Sequence, residues 1–144
     1  MPIIIDANRA SEFSVPIEPT AFLILKSAAK RDAKVAVGGK LLKELAKTPL
    51  SALLVEWGRL GCLIRVGNKE IESEELSINS KSPVSNDVHV LALAILSKSR
   101  LLYTEDENLI KDFKNDKIIF PSGKVLKRKT PPGSVGALLN LHAG

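Results

Sequence analysis

The chain has 144 residues, of which 44% are hydrophobic and 26% are charged, and it carries a formal net charge of +5. This length and apolar content suit one domain with a single core, and no apolar run reaches the roughly 18 residues that a membrane span requires. Cys62 is the only cysteine, and with His89 and His142 it cannot make up a usual zinc site, so we expect any metal ion to be held by oxygen. The N-terminus has no basic leader segment, so we expect a cytoplasmic protein.

The chain begins with a short apolar run that predicts a buried strand. The three consecutive isoleucines of Ile3–Ile5 are typical of a strand covered on both faces in a parallel sheet. Asp6 ends this run, and residues 7–11 are expected to form a polar turn or loop. Thr20 is then the predicted cap of a helix, and that helix is expected to end near Arg31.

The middle of the chain alternates between predicted strands and helices. Residues 33–37 and residues 62–66 are apolar runs that predict two further strands. Helical patterns occupy residues 40–47, 50–59 and 69–78. Strands that alternate with helices in this way favour a mainly parallel sheet.

Residues 88–96 are apolar on every side except at His89, so they predict a helix without a solvent-exposed face. Ser85 is the predicted cap of this helix. Asp87 falls in its first turn, where the helix dipole favours a carboxylate. A histidine in such a helix is more often part of the core than a catalytic base, so we leave His89 out of the predicted site.

A last strand and helix are predicted after the buried helix. Residues 101–103 predict a short buried strand, and residues 105–114 predict a helix that is acidic at its start and basic at its end. Residues 117–120 are a final apolar run, and residues 121–144 form a basic C-terminal segment. The whole pattern predicts a three-layer α/β/α sandwich around a mainly parallel sheet, with residues 1–144 in one domain.

Three aspartates occupy positions that one edge of this sheet would bring together. Asp6 follows the first strand, Asp106 follows the strand at residues 101–103, and Asp87 opens the buried helix. Open α/β sheets bind their ligands at the carboxyl edge. Clustered carboxylates repel one another unless a cation neutralises them, and oxygen ligands suit Mg²⁺ or Mn²⁺. The sequence therefore predicts a Mg²⁺ or Mn²⁺ site at this edge.

The motifs around these aspartates resemble those of the PIN-domain nucleases. The matching stretches are I-I-I-D-A-N, D-V-H-V-L-A-L-A and T-E-D, and the resemblance covers roughly residues 3–113. It implies a PIN-like fold with four acids that are both catalytic and metal-binding: Asp6, Glu44, Asp87 and Asp106. Glu44 is assigned as the acid on an early helix, in G-G-K-L-L-K-E-L. The family's small polar companions, which would position the substrate, correspond to Asn8, Ser85 and Thr104.

The resemblance implies a metal-dependent endoribonuclease that hydrolyses phosphodiester bonds of single-stranded RNA with Mg²⁺ or Mn²⁺. A positively charged chain suits a polyanionic partner. Phosphate contacts are predicted at Lys26, Lys30, Arg31, Lys40, Lys43, Lys124, Lys127, Arg128 and Lys129. A toxin of a toxin–antitoxin pair would have the same fold and chemistry, so an antitoxin protein is a further candidate partner, as is a second copy in a homodimer.

Each candidate acid also has a structural alternative. Asp6 can act as a turn former at the end of a strand, and Asp87 and Asp106 can act as acids at helix N-termini. Glu44 lies one helical turn from two lysines, Lys40 and Lys47, so an ordinary surface ion pair explains it nearly as well. Three other acids are substitute ligands: Glu12, Glu105 and Glu107.

Two other classes of function remain open. A non-catalytic PIN-like RNA-binding module, or an RNA-processing or assembly factor, would keep the fold without holding a metal ion. An acid-pocket phosphoacceptor domain would also cluster aspartates at strand ends. It requires an Asp on a central strand and a Lys on a late strand, and that Lys is not evident in the sequence.

Overall fold

The fold is built on a sheet of five parallel strands. A computed structural model describes residues 2–30 and 32–142. Within these ranges the strands are β1 (Ile3–Ile5), β2 (Val35–Gly38), β3 (Leu63–Val66), β4 (Leu101–Tyr103) and β5 (Lys124–Leu126). Their order across the sheet is β3-β2-β1-β4-β5, and every pairing is parallel.

Helices flank this sheet, and they confirm the predicted three-layer α/β/α sandwich. They are a 3₁₀ helix at Ala7–Phe13 and the α-helices α1 (Pro19–Ala29), α2 (Gly39–Ala46), α3 (Ser51–Arg59), α4 (Asn68–Asn79), α5 (Val88–Ser97), α6 (Glu107–Phe113) and α7 (Pro132–His142). Parallel strands need such crossovers because the end of one strand and the start of the next lie at opposite edges. None of these helices, in the part of the chain that the structure describes, is long and apolar enough to cross a membrane.

Burial explains why the apolar runs form the central strands. The residues of β1 and β4 are fully buried, and so are Val35, Ala36 and Val37 of β2. A strand covered on both faces needs an apolar residue at every position rather than at alternate ones. The edge strand β3 is only partly buried, and its Arg65 is exposed.

Helix α5 is the buried helix that the sequence predicts. Its residues His89 to Ala94 are all buried. The predicted cap is wrong, because Asp87 rather than Ser85 occupies the N-cap position. The Ser85 hydroxyl accepts a hydrogen bond from the Asp87 N–H at 2.9 Å, so it stabilises the turn before the helix instead of the first helical turn.

Two predictions near the N-terminus are also wrong. The residues after Asp6, expected to form a loop, form the 3₁₀ helix, and the Asp6 side chain accepts from the Asn8 N–H at 3.5 Å at its start. Thr20 lies inside α1, and Glu18 occupies the N-cap position. The predicted helix end at Arg31 lies outside the described residues.

The C-terminal segment belongs to the fold, although the sequence predicted only a basic segment there. Strand β5 pairs with β4, with Tyr103 opposite Leu126, and α7 packs against α1. Residues 117–120 form turns and bends instead of continuing the sheet. Gly123 precedes β5 because a Cβ at this position would collide with the Phe113 ring. Only Leu126 of this edge strand is fully buried, so the sequence of β5 contains no apolar run that would predict a strand.

Candidate active site

Two candidate acids lie at the point where the order of strands across the sheet reverses. Strand β1 lies between β2 and β4, so the chain crosses from β1 to β2 on one side and returns to β4 on the other. Asp6 directly follows β1, and Asp106 lies just beyond β4. The crevice at such a switch point, outside the carboxyl ends of the strands, is where open α/β sheets bind their ligands.

A buried threonine joins these two acids. Thr104 is fully buried, and its Oγ1 donates a hydrogen bond to Asp6 Oδ2 at 2.6 Å. The same Oγ1 accepts the backbone N–H of Asp106 at 3.1 Å. The Asp6 N–H donates to the carbonyl oxygen of Tyr103 at 3.0 Å. Thr104 therefore orients the Asp6 carboxylate and holds the start of α6 beside it.

Asp106 has the role of an acid at a helix N-terminus, which was the structural alternative to metal binding for this residue. Its Oδ1 caps α6 by accepting the N–H groups of Asn108 at 3.0 Å and Leu109 at 3.2 Å. Both capping bonds use Oδ1. A capping role and a ligand role of the second oxygen are therefore compatible in the same side chain.

Asp87 reaches the same edge of the sheet on α5. It occupies the N-cap position, but its side chain makes no capping hydrogen bond. The structural alternative is thus weaker for Asp87 than for Asp106. The carboxylate remains available for the charge interactions that link it to Asp6.

The pKa of Asp6 responds to its burial and to the charges of Asp87 and Asp106. Burial raises this pKa above the ordinary Asp value of 3.8, because the charged carboxylate loses hydration. Hydrogen bonds from Thr104 and Asn8 lower the pKa, and the negative charges of Asp87 and Asp106 raise it further. The structure therefore brings Asp87 and Asp106 within electrostatic reach of Asp6.

These carboxylates do not form a ready-made coordination shell. In residues 2–30 and 32–142, no three His, Cys, Asp or Glu side chains are grouped so that they hold one metal ion together. The donor set of Asp6, Asp87 and Asp106 is nevertheless composed of oxygen alone, which suits a hard divalent cation. An ion at this edge would have to draw the side chains closer to one another.

Glu44 lies on α2 and contacts a residue that the sequence analysis set aside. Its Oε1 lies 3.1 Å from His89 Nε2. The predicted alternative partners, Lys40 and Lys47, form no ion pair with Glu44 in the described ranges. The His89 side chain is 5% exposed and that of Glu44 is 40% exposed, so the pair connects the buried helix α5 to the surface of α2.

Asp112 anchors the loop that precedes α5. It is buried on α6, and its two oxygens accept the N–H groups of Val84 at 3.1 Å and Ser85 at 2.8 Å. Ser85 in turn accepts the Asp87 N–H through its hydroxyl. Because Asp106 caps the same helix, Asp112 ties the loop that ends at Asp87 to the helix that starts beside Asp106.

Sequence reasoning placed His89 in the core without finding its partner, and it missed the role of Asp112, although a pattern marked both residues. Each is a polar residue on an otherwise buried helix face, and Asp112 lies beside the buried Leu109 and Phe113. A buried polar group needs a hydrogen-bond partner, so its presence in an apolar pattern was the available signal. The pattern could not name the partners, which lie 27 and 45 residues away along the chain.

Of the polar companions, Thr104 contacts an acid through its side chain and Asn8 does so through its backbone. Asn8 is exposed, and its N–H rather than its amide approaches Asp6. Ser85 supports Asp87 through the backbone N–H of that residue. Thr104 is therefore the companion whose side chain is directed at a candidate ligand.

The substitute ligand Glu12 contacts a cation, Arg9, through its side chain. It is buried, and its Oε2 lies 3.3 Å from Arg9 Nη1. Burial raises the pKa of the Tyr103 hydroxyl, and the neighbouring Glu12 carboxylate raises it further. Glu12 thus belongs to a buried cluster with Arg9 and Tyr103.

The other two substitute ligands contact the basic segment after β5. Glu105 Oε2 accepts the backbone N–H of Arg128 at 3.2 Å. Glu107 Oε1 lies 3.4 Å from Lys127 Nζ, and 73% of the Glu107 side chain is exposed. Both glutamates therefore hold the segment after β5 against the start of α6.

The predicted phosphate contacts divide between the two edges of the sheet. Parallel strands end at one edge, and the helices that follow them begin there. Four of the predicted contacts lie at the edge of the aspartates, at the start of α2 and after β5: Lys40, Lys127, Arg128 and Lys129. Lys43 lies further along α2, in its last turn. The residues at the end of α1 and the start of β5 lie at the opposite edge: Lys26, Lys30 and Lys124. Arg31 lies outside the described residues.

A scan of protein-family models, a search of curated proteins and a search of solved structures each found no significant match to this chain. The resemblance to the PIN-domain nucleases therefore rests on the sequence motifs.

Proposed function

We propose that the chain is a metal-dependent endoribonuclease of the PIN type that hydrolyses phosphodiester bonds of single-stranded RNA. The observation that carries the proposal is the convergence of Asp6, Asp87 and Asp106 at the switch point of the sheet, where two of these charges raise the pKa of the third. Mutual repulsion of carboxylates in a ligand crevice is a cost that a bound cation removes.

The cofactor proposed is Mg²⁺ or Mn²⁺, held by Asp6, Asp87 and Asp106, with Glu44 as the fourth acid. When bound, the ion would supply Lewis acidity toward the scissile phosphate. Thr104 would keep the Asp6 carboxylate oriented by its 2.6 Å hydrogen bond.

Single-stranded RNA is the proposed substrate because the resemblance to the PIN-domain nucleases implies it, and the basic residues near the acid cluster suit a polyanion. The start of α2 and the segment after β5 supply Lys40, Lys127, Arg128 and Lys129 at the same edge. Lys43 follows further along α2. Such residues neutralise backbone phosphates without reading sequence. The substrate strand would therefore pass over the carboxyl edge of the sheet between these two groups.

The proposal is tested by incubating the purified protein with end-labelled single-stranded RNA in Mg²⁺, Mn²⁺ or EDTA. We expect cleavage with either metal ion and none with EDTA. Asp6→Asn and Asp106→Asn should abolish cleavage. Glu107→Gln is the matched control, because the exposed Glu107 contacts Lys127 and should not contribute to the ion site.

A second measurement detects binding of the ion without relying on RNA cleavage. Mg²⁺ that binds only the folded state stabilises it by about 1.4 kcal/mol at a tenfold excess over its dissociation constant. Thermal unfolding of the wild type should show this increase, and Asp106→Asn should show much less. Cleavage that persists in EDTA, or an equal Mg²⁺ shift in both proteins, would refute the proposed site.

A non-catalytic RNA-binding module is the second candidate function. It is favoured by the lack of three grouped ligand side chains in the described residues. This alternative predicts that RNA binds in EDTA and in Mg²⁺ alike and is never cleaved. The same experiments therefore separate the two candidates.

A nuclease of this type would act either as the toxin of a toxin–antitoxin pair or as a solitary RNA-processing enzyme. A toxin of a toxin–antitoxin pair should arrest the growth of cells that express the wild type but not cells that express Asp106→Asn. A solitary RNA-processing enzyme should arrest neither. Association with an antitoxin and formation of a homodimer remain predictions, and sedimentation of the purified protein tests the homodimer.

A further inference from the structure

A polar cleft opens beside the acid cluster, between α2, α4 and the loop before α5. Its volume is about 550 Å³, within the range of small-molecule sites. The lining includes Lys40, Glu75, Asn79, Asn86 and His89. Glu75, Asn79 and Asn86 are lining residues outside the group of candidate acids and phosphate contacts.

The cleft shares a wall with the proposed active site. Asn86 and Val88 line the cleft, and Asp87 lies between them in the chain. A ligand in the cleft would therefore lie within one residue of a candidate metal ligand. The Glu44–His89 pair closes the same side, because His89 also lines the cleft.

This wall is held in place rather than being a loose loop. Asp112 accepts the N–H groups of Val84 and Ser85, and Ser85 also lines the cleft. A site whose wall is fixed before the ligand arrives loses less conformational entropy on binding. The anchoring by Asp112 thus serves the cleft as well as Asp87.

The cleft continues along the groove between α2 and α4. A second depression of about 250 Å³ shares Lys40 and Glu75 with the first and is also lined by Lys43. A groove with successive depressions suits an extended strand better than a single small molecule. The two lysines on its α2 side are predicted phosphate contacts.

We propose that this cleft binds the nucleotide next to the scissile phosphate and selects its base by hydrogen bonding; this inference rests on the proposed ribonuclease function. Lys40 binds the phosphate of that nucleotide, while the amides of Asn79 and Asn86 and the carboxylate of Glu75 contact the base edge. Among the described residues no Phe, Tyr or Trp lines the cleft, so hydrogen bonds rather than stacking on a large aromatic ring would select the base. An ionised Glu75 only accepts hydrogen bonds, and an exocyclic amino group is a suitable donor. The one donor on the edge of uracil, N3–H, lies between two carbonyl oxygens that repel a carboxylate, so the cleft favours bases with an exocyclic amino group over uracil.

The test uses nuclear magnetic resonance of the full-length protein in EDTA, observing the side-chain amides of Asn79 and Asn86. These signals are assigned from the Asn79→Ala and Asn86→Ala spectra. AMP, GMP, CMP, UMP and inorganic phosphate are titrated in turn. We expect both amides to shift with AMP, GMP and CMP, to shift less with UMP, and to stay unchanged with inorganic phosphate. The exposed amide of Asn140 on α7 is the control and should not move.

The absence of shifts, or equal shifts with inorganic phosphate, would overturn the nucleotide site, and shifts with UMP equal to the others would overturn the base selection. Asn86→Ala should raise the dissociation constant of the preferred nucleotide roughly three- to tenfold, the effect of one lost hydrogen bond. Asn140→Ala should leave this constant unchanged. The titration in EDTA measures nucleotide binding independently of RNA cleavage, which is assayed with Mg²⁺ or Mn²⁺. Nucleotide shifts without any RNA cleavage in that assay would refute only the nuclease proposal. Cleavage without nucleotide shifts would refute only the nucleotide site in the cleft.

Discussion

Thr104 donates a 2.6 Å hydrogen bond from Oγ1 to Asp6 Oδ2, joining two residues that are 98 positions apart in the chain. The bond connects the ends of the two central strands, β1 and β4. Both side chains are almost completely buried, so the bond forms where water does not compete. The position of the Asp6 Oδ2 atom thus depends on the Thr104 hydroxyl group.

Thr104→Val tests this dependence, because valine keeps the shape of threonine and removes the hydroxyl. The substitution leaves Asp6 Oδ2 and the Asp106 N–H without this partner. An unsatisfied buried polar group costs about 1–3 kcal/mol, so the free energy of unfolding should fall by about that amount. Urea denaturation measures the change.

Thr104→Ser is the control for the hydroxyl, since it keeps the donor and removes a methyl group. Removal of one buried methyl costs on the order of 1 kcal/mol. If serine lowers the free energy of unfolding as much as valine does, the packing of the methyl group rather than the hydrogen bond is the main contribution.

Asp6→Asn should change how stability depends on pH. The folded protein holds the Asp6 proton more tightly than the unfolded chain, because the pKa of Asp6 is raised. The contribution of Asp6 to the free energy of unfolding of the metal-free wild type therefore decreases as pH rises from about 4 through the raised pKa. Asparagine removes this titration, so the stability of the variant relative to the wild type should increase over that window and then level off.

The measurement is chemical denaturation in EDTA at a series of pH values above and below 4. Asp116→Asn is the matched control, because Asp116 lies exposed in the turn after α6. If the difference in free energy of unfolding between Asp6→Asn and the wild type stays constant across the series, the pKa of Asp6 is not raised in the folded protein.

Asp112→Asn should weaken the loop that carries Asp87. One of the two N–H groups that Asp112 accepts would then face the amide NH₂ group, which cannot accept. Loss of a hydrogen bond to a charged group costs about 1.5–3 kcal/mol, so the free energy of unfolding should fall by about that amount. Hydrogen exchange should show faster exchange at Val84 and Ser85, and Asp116→Asn should show neither effect. Unchanged exchange at both positions would mean that Asp112 does not hold the loop.

Lys129→Ala and Lys124→Ala form a matched pair at opposite ends of β5. Both lysines are exposed, but only Lys129 lies at the edge of the aspartates. Each phosphate contact adds about one unit to the slope of log affinity against log salt. Lys129→Ala should weaken RNA binding and reduce this slope by about one, while Lys124→Ala should change neither. Equal effects of both substitutions would show that RNA does not distinguish the two edges.

The amino-acid sequence by itself predicts the buried elements and the two acids that follow strands. The isoleucines of Ile3–Ile5 and the apolar run of α5 are recorded in the local pattern, because a covered strand or helix excludes polar residues wherever it is packed. Asp6 and Asp106 could be predicted at one edge because parallel strands end together. The exposed edge strand β5 has no such pattern, and it was missed.

Only the tertiary structure decided which residues meet. The adjacency of β1 and β4 brings Thr104 to Asp6, and the packing of α2 against α5 brings Glu44 to His89 rather than to the lysines on its own helix. Asp112 likewise finds its partners 27 and 28 residues away. A local pattern records that a side chain is buried, since that depends on its own polarity. It does not record the partner, since that depends on how distant segments pack together.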